Sequence, residues 1–72
     1  MKGKIVPVNI FWDEEALVWF AIGEGIGLAL ESGSYDALIQ RVRYAAPEMA
    51  AENGILCLGI KFKTQNRQVA LV

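Results

Sequence analysis

The sequence predicts an α+β domain of element order β-β-β-α-β, an antiparallel meander followed by one main helix and a fourth strand parallel to the first. Three observations predict it. Two apolar runs, residues 5–12 and 17–22, stand only four residues apart, too close for a crossover, so they pair as an antiparallel hairpin. After Ser34 the apolar period changes from two to three-and-four, the spacing of an amphipathic helix. From Ile55 the period returns to two. A helix before this last strand supplies the crossover that lays it beside the first, giving sheet order 3-2-1-4.

Each element has its own signal. In the first strand Val6, Val8, Ile10 and Trp12 fall on one face, with Pro7 and Asn9 on the other, as expected of a strand with one better-buried side. In the second, both faces are apolar: Val18, Phe20 and Ile22 are assigned to the core, and Leu17, Trp19 and Ala21 to the opposite face. Glycines at 23, 25 and 27 let the chain bend into a third strand over residues 27–31, with Leu28 and Leu30 together.

The helix stripe is Tyr35, Leu38, Ile39, Val42, Ala45, Ala46 and Met49. Ser34 is the expected N-cap, Asp36 complements the macrodipole, and Asn53 or Gly54 stops the helix. Pro47 removes a helical donor and disfavours helical geometry at Ala46, so a break or kink is expected, with "PEMAAEN" as a separate turn or short helix. In the fourth strand, residues 55–63, Leu56, Leu58, Ile60 and Phe62 are assigned inward and Cys57, Gly59, Lys61 and Lys63 outward. "TQNR" reads as a turn and "QVALV" as a short fifth strand or a segment pairing with another chain.

Residues 1–72 fit one domain, and a chain this short buries only roughly 60% of its unfolded surface. Yet 54% of it is apolar, more than one small core hides, so a homodimer or a partner protein is expected. The net charge of −1 gives no basic stripe for a phosphate backbone, and no direct DNA binding is expected. The single cysteine, Cys57, allows no internal disulfide and no multi-thiolate zinc site, and a buried thiol fits a reducing, cytoplasmic setting. The opening "MKGKIVPV" is too short an apolar run for a signal peptide or a membrane span.

The acids Asp13, Glu14 and Glu15 are consecutive. A two-metal site needs carboxylates converging from different strands, so these read as the polar end of a hairpin. No histidine is present, Cys57 has no visible activating partner, and "GEGIG" joins two strands without opening a helix, which is not a phosphate loop. No catalytic, cofactor, metal or small-molecule site is expected. The residues assigned to a binding interface are Leu17, Trp19, Ala21, Ala29 and Cys57, because nothing in the chain is left to cover the face assigned to them. Trp12 is assigned to the core side, while Lys61, Lys63 and Arg67 balance the acidic turn.

The stretch "VNIFWDEEALVWFAIGEGIGLALES", with Ser34, Leu38 and "APEMAAENG", resembles the small HicB-like domains of unknown function built around a W-D-x-E-A-x-V-W hairpin. Trp12, Asp13, Glu15, Ala16, Val18 and Trp19 match that pattern in register over a resemblance spanning residues 5–54. Where the family carries D-I-P-G-L, this chain has "EGIGL", with Ile26 in place of proline and an added glycine at 25, which predicts a looser connection. The resemblance implies a partial ribonuclease-H-like fold and an antitoxin-like role, binding a small HicA-type ribonuclease toxin. It also brings the C-terminal DNA-binding segment usual in such antitoxins, for which these 72 residues leave no room. Two other readings stay open beside it: a metal-dependent nuclease on a ribonuclease-H-like sheet, and a free-standing homodimer.

Overall fold

The computed structural model describes residues 2–65. Strands β1 (Lys2–Asp13), β2 (Val18–Gly23) and β3 (Leu28–Ser32), helix α1 (Tyr35–Glu52) and strand β4 (Ile55–Gln65) follow in the expected order. They build one sheet of order β3-β2-β1-β4. The β1–β2 and β2–β3 pairs are antiparallel and β1–β4 is parallel, as the helical crossover requires. Thr64 and Gln65 continue β4 where a turn was expected, and the "QVALV" segment lies outside the described residues.

One layer of core separates sheet and helix. Val6, Val8 and Ile10 of β1, Ala21 of β2 and Leu28 of β3 are all nearly or fully buried against Leu38, Val42, Ala46 and Ala50 of α1. The helix stripe is therefore the expected one, extended by Ala50. Ala46 and Ala50 have little side chain to hold the helix away, so α1 can lie close over the sheet.

The faces of β2 are the reverse of those expected. Pairing begins at Asp13↔Val18 and continues through Trp12↔Trp19, Phe11↔Phe20, Ile10↔Ala21 and Val8↔Gly23. Directly opposed residues share a face, so Ala21 and Trp19 follow Ile10 and Trp12 to the helix side. Val18, Phe20 and Ile22 turn away from it. A one-residue change of register moves every side chain of a strand to the other face.

Strand β4 changes phase partway along. Lys4 pairs with Cys57 but Ile5 pairs with Gly59, leaving Leu58 as the extra residue of a bulge. Ile55 and Cys57 before it, and Ile60 and Phe62 after it, pack against the core. Leu56 and Leu58, assigned inward from the alternation, point out with 51% and 64% of their surface exposed. Leu58 lies over Gly3, where an added Cβ would come within 2.8 Å of its side chain.

Helix α1 opens as expected: the Ser34 hydroxyl accepts from the Ala37 N–H at 3.3 Å, with Asp36 in the first turn. It then runs unbroken through Pro47, so "PEMAAEN" forms no separate segment. Pro47 is on the exposed side, where water can serve the carbonyl of Arg43 that loses its helical donor. At the C-terminus the Asn53 amide Nδ2 donates to Met49 O at 2.8 Å, and Gly54, at φ 72°, accepts the left-handed backbone that ends the helix.

The glycine-rich connection between β2 and β3 is anchored where a looser one was expected. Gly25 and Gly27 have φ of 80° and 69°, and between them Ile26 drops into the core with 3% of its surface exposed. Replacing Ile26 by alanine should cost about 2–4 kcal/mol through lost burial and the cavity left behind. In urea denaturation the midpoint should fall with the slope unchanged; an unaltered midpoint would mean the connection is not anchored by this side chain.

Candidate functional site

Because α1 covers one side of the sheet, the other side is left without a covering element among the described residues. The strand register arranges its outward residues in rows across the sheet. One row runs Glu31, Phe20, Phe11, Gln65, and the next runs Ala29, Ile22, Asn9, Lys63. Pro7 then stands beside Lys61, and Ile5 beside Gly59. Phe11 and Phe20 stack near the middle with ring centroids 5.5 Å apart and planes 19° from parallel. Toward one end lie Ile5, Leu56 and Leu58, more than half exposed, and the hairpin turn carries Leu17, 66% exposed.

This is an apolar surface with a charged border, a composition shared with many protein-binding patches. Leu17 adds a second feature. Its φ of 56° is a conformation a branched side chain adopts only at a cost of roughly 1–2 kcal/mol. The turn holds this leucine exposed despite that cost.

Of the five residues assigned to the interface, the structure brings Ala29 to the open side, leaves Leu17 exposed in the hairpin turn, and turns the other three toward the helix side. Ala21 is fully buried under α1. Trp19 is half-buried on the helix side, 5.3 Å from Trp12 and in edge contact with Tyr35 of α1 at 5.0 Å. Cys57 is inward, its Sγ donating to Gly59 O at 3.4 Å, beside a groove of about 330 Å³ between α1 and the free edge of β4. The reason is the hairpin register for Ala21 and Trp19, and the inward phase of β4 ahead of its bulge for Cys57. Their places on the open face are taken by Val18, Phe20, Ile22, Leu56 and Leu58. The sequence did hold one clue: Trp12 and Trp19 sit symmetrically about the turn, and opposed tryptophans belong on one face.

The acidic turn is a structural device. Asp13 Oδ1 accepts from the N–H groups of Glu15 at 2.9 Å and Ala16 at 3.3 Å, a carboxylate closing its own turn. Glu14 and Glu15 are exposed around it. Among the described residues no three histidine, cysteine or acidic side chains stand close enough to hold a metal ion. Lys61 and Lys63 face outward on β4, Lys63 opposite Asn9 and short of the acidic turn.

Three outcomes follow from this geometry. Asp13→Ala should lower stability by about 1 kcal/mol while Asp13→Asn, whose amide oxygen accepts the same bonds, should nearly retain it. Added magnesium or manganese should leave the melting temperature unmoved, and a metal-induced rise lost in Asp13→Asn would make the carboxylate a ligand. Trp19→Glu should cost more than about 2 kcal/mol by driving a charge between Trp12 and Tyr35. A folded Trp19→Glu chain of wild-type stability would return Trp19 to the surface.

Comparison with known proteins agrees with this architecture. No curated protein matches the sequence. Among solved structures, a hypothetical protein, TTHA1013 from the extremely thermophilic bacterium Thermus thermophilus, is similar with a TM-score of 0.71 and 28% identity. The match covers 96% of this chain and 100% of the other. The model of a domain of unknown function, DUF1902, matches residues 5–70. With nearly its whole length matched, the chain belongs to the DUF1902 family.

Proposed function

We propose that this chain is a non-enzymatic protein-binding domain whose docking surface is the open face of the sheet. The observation that carries the reading is the group of Phe11, Phe20 and Ile22, continued by Ile5, Leu56 and Leu58, on a face that α1 leaves uncovered. Apolar surface of this extent on a small domain favours association, since each Å² removed from water contributes roughly 25 cal/mol. The Asp13 carboxylate is engaged in forming the turn, and Glu14 and Glu15 are exposed around it.

The finer reading is that of a HicB-like antitoxin domain neutralising a small HicA-type ribonuclease. It rests on the W-D-x-E-A-x-V-W hairpin of residues 12–19, and fold-level analogy of this kind raises a prior without fixing a role. A cytoplasmic setting accords with the single thiol of Cys57. No helix among the described residues is long and apolar enough to cross a membrane.

The doubly substituted chain Phe20→Glu, Leu58→Glu tests both levels. Neither side chain belongs to the core, so the variant should fold, losing about 1 kcal/mol with the Phe11–Phe20 stack. It should lose whatever association the wild type shows by sedimentation. It should also lose any inhibition of RNA cleavage by a purified HicA-type ribonuclease. Association that survives both substitutions would overturn the docking surface, and a wild-type chain that leaves the ribonuclease fully active would overturn the antitoxin role.

A further inference from the structure

Strand β4 is the long edge of the sheet. Its 11 residues have β1 as their only neighbour among the described residues, whereas β3, the other edge, has 5 residues. Alternate residues of an edge strand present N–H and C=O groups without partners, and proteins commonly guard such an edge with charge or proline. The stretch from Ile55 to Ile60 carries neither. Beside it runs the groove of about 330 Å³, walled by Arg43 and Pro47 of α1 and lined along β4 by residues that include Cys57, Ile60 and Phe62. Leu56 and Leu58 stand exposed on the other side, so this stretch of edge is apolar both above and below its free backbone.

The bulge makes the edge complementary to itself. Cys57 pairs with Lys4 and Gly59 with Ile5, so Leu58 and Gly59 together count as one position along the strand. Ile55, Cys57, Ile60 and Phe62 then alternate on the helix side with Leu56, Leu58, Lys61 and Lys63 on the open side. In an antiparallel pair opposed residues share a face. A two-fold axis perpendicular to the sheet at Leu58 meets that condition. It sets Leu58 on Leu58 of the second copy, Cys57 on Ile60, Leu56 on Lys61 and Ile55 on Phe62.

Charge and length select this centre. Moved one position on, to Ile60, the axis would bring the two Lys61 residues to a diagonal of about 7 Å, and at Lys61 it would set them directly opposite one another. Centred on Leu58 they stand about 13 Å apart along the ladder, beyond the screening length of roughly 10 Å in 0.1 M salt. Moved back to Cys57, the ladder would lose two positions and leave Phe62 outside it. We infer that the free edge of β4 pairs antiparallel with β4 of a second copy about a two-fold axis at Leu58, joining two four-stranded sheets into one of eight. Both helices then lie on one side and both open faces on the other. The pairing is a second interaction surface beyond the open face, and it leaves Phe11, Phe20 and Ile22 free.

Cross-linking tests the register. Leu58→Cys in a Cys57→Ser chain places two thiols in direct opposition, at the Cα separation of roughly 4.5–5.5 Å that a disulfide spans. With oxidised glutathione it should form a covalent dimer, while Phe20→Cys in the same background, two strands in from the edge, should not. Leu58→Glu sets a carboxylate against its own copy and should weaken the dimer about tenfold or more, whereas Phe20→Glu alone should leave it. Neither side chain belongs to the core, and melting curves of the diluted variants check that each is folded. An edge interface of this length is small, so sedimentation equilibrium should span from about 10 μM to about 1 mM.

A Leu58→Cys chain that forms no cross-link, a dimer indifferent to Leu58→Glu, or a wild-type chain monomeric throughout that range would overturn the pairing. A wild-type cross-link through Cys57 would overturn the centre at Leu58. Loss of the dimer on Phe20→Glu alone, with a cross-link at Phe20→Cys, would overturn the edge in favour of a second copy seated on the open face.

Discussion

Two hydrogen bonds to the carboxylate of Asp13 close the turn from which the rest of the sheet takes its phase. They end β1 at Asp13 and leave residues 14–17 as the connection, so pairing starts at Asp13↔Val18. From that pair follow Trp12↔Trp19 and Ile10↔Ala21, and through β2 the phase passes to Leu30 and Leu28 of β3. The turn tolerates a left-handed Leu17 to achieve this. A shift of one residue would put Ala21 and Trp19 into solvent and force Phe20 and Ile22 beneath the helix.

The core beneath α1 and the apolar residues on the far side are two aspects of one arrangement. Ala21 meets the helix from the sheet, while Ala46 and Ala50 meet the sheet from the helix. Beside these alanines Val8, Ile10 and Leu28 of the sheet and Leu38 and Val42 of the helix fill the core. Phe11, Phe20, Ile22 and the leucines of β4 collect where there is no second layer. A domain with one helix and one sheet covers only one side of that sheet, and in most architectures a further layer covers the other.

That imbalance is the basis of the functional reading. The residues most suggestive of chemistry are occupied structurally: Asp13 by its turn, Cys57 by a contact to Gly59 O, and Ile26 with its flanking glycines by the core. What lacks an internal task is the open face and its charged borders. The proposed binding role uses those residues as they stand.

The order of elements, the parallel placement of β4, the cap at Ser34 and the helical stripe were all legible in the sequence, because each depends on local period, capping chemistry or connection length. So was the existence of an uncovered apolar face, since 54% apolar residues exceed what one thin core can hold. Which residues form that face was not legible. A strand in which both faces are apolar, such as Val18 to Ile22, carries a period of two with no mark of phase, and the alternation of β4 gives no warning of the bulge at Leu58. The continuity of α1 through Pro47 likewise depends on that proline facing solvent. The sequence by itself determined the topology and the surplus of apolar surface; only the tertiary structure decided which side of each strand faces α1, because phase is fixed by register against a neighbouring strand and register is a property of the pair.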